Sequence, residues 1–135
     1  MLMLFEGNIH SFRQIFLDRT EHFKVKDLWY GDSIGHWDGD TLVVDTVGFN
    51  DRFWFGMSGE PHTTQLHVIE RYHRRDYGNM DIQITIDDPG ALAKPWVFNR
   101  VSTLETQIEM TEYVCNENNL DPSHLVGDSK FGDSK

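Results

Sequence analysis

Apolar and polar residues alternate with a period of two along most of the chain, as they do in half-buried strands. In residues 7–18, His10, Phe12, Gln14 and Phe16 share one face; Ser11, Arg13, Ile15 and Leu17 share the other. Ile34 to Val47 reads as two strands around Asp38-Gly39, a strong short hairpin signal that predicts a type I′ turn with both central residues at positive φ. Leu66, Val68, Glu70 and Tyr72 alternate with His67, Ile69, Arg71 and His73. After a turn at residues 76–79, Met80, Ile82, Ile84 and Ile86 alternate with Asp81, Gln83, Thr85 and Asp87. Asp87-Asp88-Pro89-Gly90 stops that hairpin. Residues 95–101 and 104–115 predict a third antiparallel pair, and residues 50–65 a long loop. The one helix candidate is a short turn at residues 121–125, where Pro122 suits the first helical position.

Seven or eight antiparallel strands with little helix predict an all-β fold. The expected architecture is a single antiparallel β-barrel or barrel-like roll, calycin-like or jelly-roll-like, with long loops. A single domain over residues 1–119 would carry a polar tail over 120–135. The length of 135 residues agrees with one domain.

Charge narrows the partners. Twelve Lys and Arg against 22 Asp and Glu leave a net charge of −10, which repels nucleic-acid phosphates and anionic membrane surfaces. No run is long and apolar enough for a membrane helix, and the N-terminal residues lack the basic start of a signal peptide. The chain therefore reads as cytoplasmic, or as the mature form of an exported protein. Cys115 is the single cysteine, so no internal disulfide forms, and its acidic neighbours make it a poor nucleophile.

Several stretches resemble an uncharacterised bacterial family, a domain of unknown function usually found as the C-terminal half of longer, apparently exported proteins. They are SIGHWDGDTLVVDTVGFND at 33–51, HVIERY at 67–72, TIDDP at 85–89, KPW at 94–96 and EYVCNEN at 112–118. The resemblance covers roughly residues 9–119 and implies export. It implies no reaction and no catalytic residue.

Glu70 is the leading candidate for chemistry. Its neighbours at two-residue spacing are apolar or aromatic, and a carboxylate on such a face must be paired or protonated. A raised pKa would suit a general acid or base. The alternative is a buried ion pair with Arg13, Arg71 or Arg100. Glu112, between Met110 and Val114, has the same context. His10 shares a face with Phe12 and Phe16, which would make it an inward proton shuttle. His62, His67 and Glu70 form a conceivable two-His, one-carboxylate metal set. The odd spacing of His67 and Glu70 puts them on opposite faces of a regular strand, so no cofactor is expected. His22 and His124 lie in polar stretches and receive no role.

The loop at 50–65 carries Phe53, Trp54 and Phe55, which are costly to leave in water. They would form either a plug in the barrel with no ligand or an aromatic lid over an apolar pocket, with His62 at its edge and Trp37 and Tyr72 as further ligand-binding residues. The function expected is thus a small-molecule-binding β-barrel for an apolar or aromatic ligand. One alternative is a cofactor-free isomerase, lyase or cyclase using Glu70 and His10, with Glu112 as a second carboxylate. Others are a metal enzyme, and a homodimer that buries the loop's aromatics.

Overall fold

A computed structural model describes residues 1–6, 11–24, 27–56 and 58–110. Seven strands make up the described fold: β1 (Leu2–Phe5), β2 (Ser11–Phe16), β3 (Asp32–Asp38), β4 (Thr41–Val47), β5 (His67–Arg74), β6 (Asn79–Asp87) and β7 (Trp96–Thr103). They lie in one sheet in sequence order. β1 pairs with β2 and β7 with β6, so the curled sheet is an open half-barrel. The all-β, barrel-like architecture follows the alternating pattern from which it was expected.

The register explains how the core is built. Val44 lies opposite Glu70, Glu70 opposite Ile84, and Ile84 opposite Phe98. Cross-strand partners share a face, so one inner face carries Leu42, Val44, Glu70, Tyr72, Ile84, Ile86 and Phe98. Two apolar clusters occupy it. Ile15, Leu42 and Val44 pack with Met3 and Tyr72, and Phe49, Leu66 and Ile86 pack with Phe53, Phe55, Leu92 and Phe98. Full burial of one such aliphatic side chain contributes about 1.5–3 kcal/mol.

Four details depart from the sequence reading. First, the β3–β4 loop is Gly39-Asp40, flanked by the Asp38–Thr41 pair. Gly39 has φ +63° and Asp40 is not at positive φ, as in a type II′ turn, whose first central position selects glycine. Second, β2 runs parallel to β3 rather than antiparallel, through the pairs Ile15–Ser33 and Phe16–Ile34 alone. Residues 19–23 of the intervening chain make polar contacts to β3 and β4, described below. Third, Leu2–Phe5 forms a strand that the alternation at 7–18 did not include. Fourth, residues 104–110 are not a strand and are exposed. The Leu104 amide closes β7 by donating to the Gly78 carbonyl at 2.8 Å, and the Glu105 carboxylate then accepts from the Gln107 amide at 2.9 Å, turning the chain away. The expected continuation through 111–115 and the helical turn at 121–125 lie outside the described residues, as does the polar tail.

The loop at 50–65 is present. Its C-terminal part is fixed by Asp88, which is fully buried and accepts from the Thr63 amide and hydroxyl, each at 2.6 Å, and from the Gly90 amide at 3.1 Å. Burial opposes ionisation of Asp88, but these three donors hold its pKa below the usual carboxylate range.

Candidate functional site

Glu70 sits at the centre of the inner face and is 8% exposed. One carboxylate oxygen lies 2.7 Å from Arg13 Nη1. The other accepts from the Tyr72 hydroxyl at 2.7 Å. Burial, and then the Glu70 charge, push the Tyr72 phenol well above its ordinary range, so it remains a donor. The Met3 sulfur lies 3.7 Å from Arg13 Nη2 and 3.9 Å from the Tyr72 hydroxyl. The carboxylate is therefore paired through both oxygens, which is the ion-pair alternative of the sequence reading, with Arg13 as the partner. Such a group is poorly placed to take a proton from a substrate.

The aromatic loop does not form the expected lid. Phe53 and Phe55 flank His62, at ring-centroid distances of 4.1 and 5.1 Å, and Phe53 also meets Phe49 edge-on at 6.2 Å. His62 is buried among them, so these rings fill the second core cluster. Trp54 between them is 71% exposed, and Trp37 also faces solvent. The cause is the alternation itself: Phe53 and Phe55 point inward and Trp54 outward.

His62, His67 and Glu70 are not brought together. His67 lies on the outer face with Asp45 and Glu70 on the inner face with Arg13, while His62 lies in the loop core. Among the described residues no three His, Cys, Asp or Glu side chains are grouped to hold a metal ion. His10 and Glu112 lie outside the described residues. Over β2, Phe12 is 60% exposed and Ile15 on the opposite face is fully buried.

A different aromatic cluster does surround open space. β2 and β3 pair only through Ile15–Ser33 and Phe16–Ile34. A groove of about 460 Å³ opens there, lined by Phe12, Phe16, Phe23, Trp29 and Tyr30, with Arg13 and Asp32 among the polar walls. Phe12, Phe23, Trp29 and Tyr30 are all exposed. Tyr30 stacks on Phe5 at 6.0 Å, and its hydroxyl donates to Ser11 Oγ at 2.8 Å, which ties the far wall to β2. Gly31 at the groove has φ +66°, and a Cβ there would stand 2.7 Å from Thr46 Cγ2, so only glycine fits. Two other grooves, lined by the Arg71–Asn99 surface and by the β5–β6 turn, are more polar or smaller.

The groove is electrically balanced. Arg13 is paired with Glu70, and Asp32 with Arg19 at 2.8 Å. The Arg19 guanidinium is sandwiched between the rings of Phe16 and Phe23, at 3.6 and 4.0 Å from their centroids. Such contacts contribute roughly 0.5–2 kcal/mol each.

Behind this wall lies a network that the sequence reading passed over. His22 Nδ1 is 3.2 Å from Asp32 Oδ2 and His22 Nε2 is 2.9 Å from Asp45 Oδ1. His67 Nε2 reaches the same Asp45 oxygen at 2.9 Å, and the Phe23 amide donates to Asp32 Oδ2 at 3.0 Å. Burial works against the Asp32 charge, but Arg19, the Phe23 amide and His22 together hold its pKa below the usual aspartate range. The available signal was Asp45 itself, a carboxylate inside the apolar run Leu42-Val43-Val44-Asp45-Thr46-Val47.

Fold and groove together define an all-β half-barrel with an aromatic cleft at the β2–β3 seam. No protein-family model matches the chain, and no curated protein or solved structure matches it either.

Proposed function

We propose that the chain is a small-molecule-binding half-barrel whose ligand is a neutral, planar, apolar or aromatic molecule held in the groove between β2, β3, Phe23 and residues 28–31. The observation that carries this reading is the gathering of Phe12, Phe23, Trp29 and Tyr30 around one cleft while all four remain exposed. Large exposed aromatics grouped on a monomer surface mark a contact site, and ring faces favour flat partners. The volume, about 460 Å³, falls within the range that encloses drug-sized ligands. Neutrality follows from the balanced charges: the Arg13 guanidinium and the Asp32 carboxylate that line the groove each have an oppositely charged partner, Glu70 and Arg19, and the net charge of −10 repels anions.

The reading as a cofactor-free proton-transfer enzyme is weaker, because Glu70 is engaged through both oxygens.

Two dyes that share a ring system but differ in charge test the proposal. N-phenyl-1-naphthylamine is neutral, and 8-anilinonaphthalene-1-sulfonate adds a sulfonate. Fluorescence titration is expected to show one saturable site per chain for the neutral dye, bound about tenfold or more tighter than the sulfonate, a difference of about 1.4 kcal/mol. Equal affinity, or preference for the sulfonate, would overturn the neutral-ligand reading. No saturable binding would overturn the groove.

A further inference from the structure

The segment that carries Phe23 into the groove wall is tied to the sheet by the Arg19–Asp32 pair, by the Phe23 amide and by His22, the last through a contact that a neutral imidazole cannot make. A carboxylate oxygen above its pKa only accepts hydrogen bonds. Nδ1 faces Asp32 on β3 and Nε2 faces Asp45 on β4, so both nitrogens must carry protons to satisfy both contacts. A neutral ring has one N–H. It would leave a lone pair pointed at a carboxylate, and one of the two ties would break.

Resting on the groove reading above, we propose that ligand binding is gated by protons through His22, whose imidazolium clamps the 19–24 segment, and with it the Phe23 side of the groove wall, to Asp32 and Asp45, while the Leu28–Tyr30 side is held separately by backbone bonds to Gly48 and Asn50. The groups facing His22 are Asp32 on β3, Asp45 on β4, His67 on β5 through their shared Asp45 oxygen, and Arg19 on its own segment through Asp32. His67 is not the switch. It is given one carboxylate contact, through Nε2, and the neutral tautomer protonated at Nε2 preserves that contact. His22 reaches the groove directly: Asp32 lines it, and the next residue, Phe23, both lines it and donates its amide to Asp32.

The direction follows from the protons. With Asp32 and Asp45 ionised and His22 charged, the clamp is complete. When rising pH removes one proton from the ring, one of the two nitrogens loses its N–H, one tie breaks and the Phe23 side of the wall loosens. On the acid side the lowered pKa of Asp32 keeps that carboxylate ionised to below the ordinary range, and the Asp32 tie is lost as pH falls through that lowered value.

Two readouts separate the clamp from the binding site. The first needs no ligand: the protection of the Phe23 amide against hydrogen exchange, corrected for intrinsic rate, measured from about pH 5 to about 8. The wild-type chain is expected to lose about tenfold in protection across that range. His22→Gln, whose amide cannot change charge, is expected to show a flat profile, and His67→Gln to keep the wild-type slope. The second is the affinity for N-phenyl-1-naphthylamine, which should weaken over the same range in the wild type and in His67→Gln but not in His22→Gln. A flat wild-type exchange profile, or a slope that persists in His22→Gln, overturns the clamp. A slope in protection with no dye binding at any pH supports the clamp and overturns the groove reading instead. Nitrogen chemical shifts of the His22 ring in the unmutated protein provide the check if His22→Gln does not fold: both nitrogens should be protonated at the acid end, and a neutral ring there overturns the proposal.

Discussion

Glu70→Ala is expected to lower the free energy of unfolding by about 3–5 kcal/mol, the cost of leaving a buried guanidinium without its partner. Glu70 is almost fully enclosed, Arg13 lies 2.7 Å away, and Tyr72 donates to the other oxygen at 2.7 Å. Removing the carboxylate strands Arg13 on a face that carries Ile15, Leu42 and Val44. Against a typical domain stability of about 5–15 kcal/mol, that loss leaves a marginal protein. Replacing both partners, as in Arg13→Met with Glu70→Met, is expected to recover most of the loss, because an apolar pair has no charge to strand. Urea unfolding of the two variants reads both effects. A loss below about 1 kcal/mol in Glu70→Ala would mean that the pair is solvated, as surface pairs are. The inner face would then not be the core described above.

The second large effect concerns the ligand. Trp29→Ala is expected to weaken binding of N-phenyl-1-naphthylamine by about tenfold or more, in line with the roughly 1–3 kcal/mol that an aromatic platform contributes to a stacked ring. Phe12→Ala should act in the same direction from the opposite wall. Both side chains are exposed, so neither substitution removes much of the core. Trp54→Ala is the control. Trp54 is also exposed, but it sits on the 50–65 loop and does not line the groove. Its loss should leave the affinity unchanged. If Trp54→Ala abolishes binding and Trp29→Ala does not, the ligand lies under the loop, where the sequence alone had placed it.

The fold was legible because strands with one buried face write their register into the sequence. Glu70, Tyr72, Ile84 and Ile86 fall on the inner face at the spacing that the alternation requires. The parallel seam was not legible, since a period of two is blind to strand direction. The site was legible only in part. Glu70 stands out in the sequence as a carboxylate among apolar neighbours, and the structure buries it there beside Arg13, one of the ion-pair partners that the sequence offers. Its chemistry depended on which arginine the fold delivered. Three adjacent aromatics in a loop read as a lid, but a chain that alternates sends two of them inward and one outward. The groove residues come from β2, Phe23, residues 28–31 and the start of β3, which meet at the parallel seam. His22 looked like a solvated loop residue because its partners Asp32 and Asp45 lie 10 and 23 positions away.

The most direct test of the central claim maps where a neutral aromatic molecule binds. Amide chemical-shift changes on titrating N-phenyl-1-naphthylamine into the isotope-labelled protein are expected to concentrate at residues 12–16, 23 and 28–33, with residues 53–62 nearly unmoved. Shifts concentrated at 53–62 and around Glu70, with the β2–β3 seam silent, would contradict the account.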